Sequence, residues 1–256
     1  MLTRLRQSIL LYILILVGAS AWITQTRTRG WENTLWVEIH PIAANEHRQI
    51  GEFLTRLESK HFQPMEDYLN AQAASFGIDL ARPVRVVMGP RLDSLPPALP
   101  ADGSWLRAML WSLQMRWWAM TTTWDLHGPE PDIRLFAIFH QADTPVALER
   151  SVALQKGMVA IANLFADQRM QGSNLVVATH ELLHTLGATD KYDRATNLPI
   201  YPDGFADPNH NPRYPQRRAE IMAGRIPLTA TAAAIPTALR YTRIGPITAT
   251  EIGWRK

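Results

Sequence analysis

At 256 residues, with 46% of them hydrophobic, the chain is long enough for one sizeable α/β domain or two small ones and too apolar for global disorder. It has no cysteine, which excludes a disulfide framework and a thiolate nucleophile and leaves histidine and carboxylate as the metal ligands. The formal charge of +3 is unevenly placed. Arg4, Arg6, Arg27 and Arg29 stand in the first 29 residues with no acid, and the remainder is nearly neutral, so it offers no electrostatic case for binding nucleic acid.

Residues 9–23 form an apolar run behind Arg4 and Arg6. The run is slightly shorter than the roughly 20 residues of a spanning helix, and snorkelling arginines can extend it. It reads either as a retained signal-anchor or as a signal peptide cleaved near Ala19-Ser20-Ala21. Both readings place the remainder outside the cytoplasm, anchored in the membrane by a single pass or released as a secreted or periplasmic protein. Residues 1–29 are therefore expected to be targeting segment and linker, and residues 30–256 a single catalytic-type domain.

Further along, residues 35–40 alternate as a strand that Pro41 is expected to end. Residues 43–76 read as helical, with Ile50, Phe53, Leu54 and Leu57 at three-to-four spacing, a possible split at Pro64 and a stop at Gly77. A short strand is expected at 84–88 and a proline-rich loop at 91–103. Ser104 is placed to cap a helix reaching about Met120. Trp105, Trp111, Trp117 and Trp118 crowd that helix beside Arg107 and Arg116. This composition suits a membrane interface, but apolar residues most of the way round favour a buried core helix.

Strands are expected at 133–140 and 158–165. Ser173 is expected to cap a helix over 174–186 that Gly187 stops. Residues 189–218 are crowded with Pro, Asp, Asn and Gly and read as a long irregular segment. A last helix is expected over 247–253. His40, His47, His61, His127 and His140 lack ligand spacing and read as surface or satisfied core residues. Asp207, Asn209 and Asn211 alternate like the start of a calcium loop, but its glycine and terminal glutamate are missing, so they read as turn residues.

The chemistry lies in His180-Glu181-Leu182-Leu183-His184-Thr185-Leu186-Gly187-Ala188-Thr189-Asp190. Positions i and i+4 share a helix face, so His180 and His184 can aim two imidazoles at one zinc ion. Glu181 is placed as general base toward a zinc-activated water. Gly187 lets the backbone turn sharply and return an oxygen ligand to the metal, with Asp190 the expected residue and Asp193 and His210 its rivals. A fourth position left open is the mark of a catalytic zinc.

This extended motif resembles that of the metzincin zinc peptidases, specifically those with Asp in place of the third His, such as the snapalysin-like peptidases. The run from Leu186 to Asp193 is also similar to the corresponding stretch of immune inhibitor A-type peptidases. The close resemblance covers about residues 174–193 and the segment Glu220-Ile221-Met222-Ala223-Gly224. It implies an α/β (α+β) zincin domain with a twisted mixed sheet, an antiparallel edge strand, an active-site helix, a Met-turn and a C-terminal helix. It implies that Met222 forms an apolar floor to the site without ligating, and that residues 158–165 are the edge strand. Gly224 stands where some metzincins carry a tyrosine ligand. The expected activity is peptide-bond hydrolysis with one zinc ion, on a peptide or protein substrate. The competing readings are a metal-binding but non-catalytic envelope protein on the same scaffold, and hydrolysis of a non-peptide amide.

Overall fold

A computed structural model describes residues 30–100, 104–124, 130–142, 151–155 and 158–255. The expectations for residues 1–29 and for His127 lie outside them. A five-stranded sheet has the order β2-β1-β3-β5-β4, where β1 is Leu35–Ala43, β2 Val84–Met88, β3 Ile133–His140, β4 Val152–Leu154 and β5 Val159–Phe165. Strands β2, β1, β3 and β5 are parallel, and β4 pairs antiparallel with β5. The molecule is thus mixed α/β with a mixed sheet.

The inner strands read as nearly continuous apolar runs because both faces of the sheet are covered. In β3, Ile133, Leu135, Ala137 and Phe139 face one cluster while Phe136 and Ile138 face the other. Each such side chain, fully buried, contributes about 1.5–3 kcal/mol. The first face carries α1 (Arg48–Thr55), α2 (Gln63–Ser75), α4 (Gln171–Thr185) and α5 (Pro246–Glu251); the second carries α3 (Trp105–Thr123).

Three sequence expectations are corrected. Residues 158–165 do not form the edge strand: β5 lies inside the sheet, parallel to β3, and the antiparallel edge is β4. Burial of β5 on both faces explains its unbroken apolar run. Pro41 does not end β1, which continues to Ala43 with Pro41 opposite Ala137. The Pro41 carbonyl accepts from Leu92 N on the side where β2 has already ended, so the missing N–H interrupts no ladder there. Helix α3 is not a buried core helix, since Trp111, Met115 and Ala119 pack on the sheet while Leu106, Leu110, Leu113 and Trp117 are exposed. The break between α1 and α2 also falls ahead of Pro64, which stands in the first turn of α2, where its missing N–H costs nothing.

The ligand-bearing helix begins earlier than expected. Asp167 Oδ1 accepts from Arg169 N at 2.8 Å and caps a 3₁₀ turn over Gln168–Met170 that runs into α4. Buried Asn174 joins the helix to the sheet by accepting from Phe165 N at 3.0 Å and donating to Phe165 O at 2.8 Å. Among the described residues, no helix is long and apolar enough to cross a membrane.

The non-ligand histidines have local roles. His47 caps α1 by accepting from Gln49 N, and His61 closes a turn with Glu58. His40 is buried against Phe136, and His140 Nε2 meets Asn163 Oδ1 at 2.7 Å. The segment 189–218 is cross-braced. Gln216 bonds both the N–H and the C=O of Asp207, and Phe205 is buried between Tyr201 and Tyr214.

Candidate metal centre

Helix α4 is buried on most sides, and its last two turns present His180 and His184 to a common point. Their Nε2 atoms lie 3.0 Å apart, with the rings nearly perpendicular. Leu186 ends the helix and Gly187 follows with φ of 102°, a left-handed conformation that a side chain would strain. The chain then doubles back, and Asp190 Oδ1 comes within 3.3 Å of His180 Nε2 and 3.0 Å of His184 Nε2. These three residues form a cluster close enough to bind a metal ion, and each keeps part of its surface open to solvent.

The outer hydrogen bonds decide the tautomers. His180 Nδ1 lies 3.0 Å from Ile221 O, and His184 Nδ1 lies 2.7 Å from Ala188 O. A carbonyl only accepts, so both Nδ1 atoms carry the proton, and each neutral ring turns an Nε2 lone pair toward the other. Asp190 Oδ1 is then a buried acceptor with no donor. Three electron-rich atoms converging in this way are mutually repulsive until a cation or an added proton sits among them, and two imidazoles with one carboxylate suit a zinc ion with a place left open.

The same crowding shifts the titrations. For Asp190, burial alone would raise the carboxyl, but once an added proton sits on the imidazoles, hydrogen bonds from His180 and His184 and their positive charge outweigh it and hold it well below the usual carboxylate range. Burial alone would lower His180, and Asp190, Glu181 and Ile221 O together raise it. Burial raises Glu181 above an ordinary glutamate, although His180 and His184 pull the other way. Glu181 also lines, with His180, a cavity of about 190 Å³ walled by Val176, Val177, Tyr192 and Gly224. A larger cavity of about 360 Å³, between α1 and the segment preceding α4, shares no lining residue with the cluster.

Of the three candidates for the oxygen or third ligand, Asp190 reaches the cluster. Asp193 Oδ1 is engaged in its own loop, accepting from Ala195 N, Thr196 N and Thr196 Oγ1. His210 Nδ1 faces Pro212 O.

Met222 is fully buried in a 3₁₀ turn, Ile221–Ala223, that packs against α4 and ends at Gly224 with φ of 67°. Glycine at 224 is thus favoured by the left-handed backbone of the turn. The turn is pinned by Glu220, which no motif marks as functional. Its buried carboxylate accepts from Met222 N at 2.6 Å, Ala223 N at 3.1 Å, Gly245 N at 3.0 Å and Thr248 Oγ1 at 2.7 Å. Burial raises Glu220, and these donors offset part of that rise. An acidic residue inside the otherwise apolar run Ala219-Glu220-Ile221-Met222-Ala223 was the available signal.

Also unforeseen was the brace around Asp190. Lys191 Nζ, buried, donates to Thr189 O, Thr189 Oγ1 and Glu251 Oε2, and Thr189 N and Oγ1 donate to Glu251 as well. Lys191 N donates to Met222 O at 3.0 Å. Residues on either side of the third donor are therefore held by α5 and by the Met222 turn. Glu251 is 62 positions from Thr189, and no local pattern announces the pairing.

No family model matches the chain, and no curated protein matches it. Among solved structures it is similar to a chain in "Structure of a chaperone-substrate complex", at 14% identity and a TM-score of 0.39, over 86% of this chain and 33% of that one. That likeness is too loose to carry an argument about fold or function.

Proposed function

We propose that residues 30–256 are a zinc-dependent metallopeptidase domain of the metzincin type, with His180, His184 and Asp190 as ligands and Glu181 as general base. The observation that carries this reading is the convergence of two Nε2 lone pairs and Asp190 Oδ1, with both Nδ1 protons already committed to backbone carbonyls. The order of elements supports the type: an antiparallel edge strand, an inner parallel strand, the ligand helix, a buried methionine turn beside it and a last short helix. The substrate proposed is a peptide or protein, and the N-terminal run is proposed to hold the domain at a membrane or to export it.

A divalent ion bound at the cluster would act as a Lewis acid, lowering the pKa of water toward ~7 and polarising a carbonyl. The chain's own groups supply the rest. Glu181, its pKa raised by burial, is suited to accept a proton from water and pass it to a leaving amine. The apolar cavity beside His180 and Glu181 can take one side chain of a substrate and exclude water around it. An extended peptide laid along the sheet edge would be oriented by backbone hydrogen bonds.

Replacing Glu181 by Ala tests the reading against a metal-binding but non-catalytic role. The peptidase should retain its zinc and lose cleavage of a peptide library by roughly 10²–10⁴-fold. A parent protein that carries zinc and cleaves no peptide or protein would refute the activity.

A further inference from the structure

Helix α3 is packed on one side only. Trp111, Met115 and Ala119 close the second face of the sheet, and Trp118 packs on Phe136 with ring centroids 4.6 Å apart. At about 3.6 residues per turn, Leu106, Leu110, Leu113, Trp117, Met120 and Trp124 fall on the opposite stripe. All six are exposed, Trp117 by 65% and Trp124 by 74%, and Trp105 at the start of the helix is 73% exposed. A continuous apolar stripe of this kind marks an interaction surface.

Its composition indicates the partner. Residues 104–124 contain Arg107 and Arg116 and no acidic residue. By helical register the two arginines fall on opposite flanks of the apolar stripe. Tryptophan beside an aliphatic face, with arginine at its borders, is the chemistry of the headgroup boundary of a bilayer. Among the described residues no helix qualifies as a membrane span, and a stripe of this kind suits a helix lying in the plane of a lipid surface.

Topology agrees. Helix α3 joins the end of β2 to the start of β3, so it runs back against the parallel strands, and Trp124 lies at the edge of the sheet where β1 and β3 begin. Asp132 and Trp36 tie those two starts together, with Trp36 N to Asp132 Oδ2 and Asp132 N to Trp36 O both 2.9 Å. The chain also enters β1 at that edge, from the segment whose residues 9–23 are apolar.

We propose that α3 lies in the plane of an anionic lipid surface, with its apolar stripe in the headgroup boundary and Arg107 and Arg116 against lipid phosphates. Since α3 and α4 cover opposite faces of the sheet, this orientation turns the metal cluster away from the membrane, toward substrates in the aqueous phase.

The chain has no cysteine, so a single introduced cysteine carries a nitroxide at one known site. The full chain is reconstituted in vesicles of phosphatidylcholine and phosphatidylglycerol with labels at Leu113→Cys, Trp117→Cys or, as the control, exposed Ala195→Cys. Collision rates with oxygen and with a nickel chelate are then read by spin resonance. The expected result is a gain of oxygen collisions and a loss of nickel collisions at 113 and 117, with water-like values at 195. Water-like values at 113 and 117 would overturn the proposal, since an N-terminal segment would then hold the domain without α3. Shielding from both agents would also overturn it, because that is the mark of a second copy or another protein segment on the stripe. Vesicles of phosphatidylcholine alone should give a weaker bilayer signature, and equal signatures would remove the role given to the arginines.

Discussion

Lys191 and Glu251 stand 60 positions apart in the chain, yet Lys191 Nζ lies 2.7 Å from Glu251 Oε2 immediately beside the third donor of the metal cluster. Glu251 also accepts from Thr189 N and Oγ1. The last helix thus fixes both neighbours of Asp190. Glu251→Gln should lower metal affinity by about 10-fold, the lower end of what outer hydrogen bonds contribute at metal sites. Titration against a competing chelator reads this directly.

The same pair has a pH signature. Burial alone would raise the Glu251 carboxyl, but Lys191 and Thr189 outweigh it, so its folded pKa is lowered. A lowered carboxylate pKa adds stability that is fully present above the unfolded value of about 4.3 and is lost as pH falls through the folded value. With part of the side chain exposed, the contribution is discounted to about 1 kcal/mol. In denaturant titrations, Glu251→Gln should lose about this much at neutral pH, and its difference from the parent should shrink in acid.

Glu220→Gln should be more damaging. Three of its four partners are backbone N–H groups, and an amide NH₂ cannot accept from them. With the amide oxygen kept toward Met222 N and Ala223 N, the NH₂ leaves Gly245 N unpaired while the Thr248 hydroxyl can turn to accept, so the loss is expected to be about 1.5–3 kcal/mol. Because Ile221 O holds His180 Nδ1, the variant should also bind metal more weakly, whereas damage elsewhere in the core would lower stability and leave the affinity of the folded fraction unchanged.

Gly187→Ala places a side chain at φ of 102°. The expected cost is about 1–2 kcal/mol, read as a shift in the unfolding midpoint. Metal affinity should fall as well, since relaxing this turn moves Asp190 away from His180 and His184.

Metal retention should be acid-sensitive. Binding requires unprotonated Nε2 atoms, and His180 holds its added proton to a higher pH than an ordinary histidine, whose value is about 6.5. Protons therefore compete with the metal already above that value, and retention should decline steadily as pH is lowered. Zinc content unchanged down to strongly acidic pH would contradict these ligands.

The cluster was legible because its spacing is local. His180 and His184 are one turn apart, and Gly187 marks the reversal that returns Asp190. What escaped is what depends on distant partners: Glu220 and Glu251 act across the fold, and neither has a local pattern. Strand length by itself does not tell the edge of a sheet from its interior. The run Val159–Phe165 is apolar at almost every position, as a strand covered on both sides must be, and that pattern belongs to the interior of a sheet. Apolar residues surround α3, but composition alone does not distinguish a helix enclosed by protein from one with an uncovered apolar side.

The most direct test of the central claim is metal stoichiometry. Zinc per chain would be measured by elemental mass spectrometry in the parent and in His184→Ala, each after equilibration with zinc and removal of loosely held ion. One zinc per parent chain, with clear loss in the variant, is the predicted result. A well-folded parent that holds no zinc, or a variant that holds as much as the parent, would contradict the metal centre and with it the peptidase built on it.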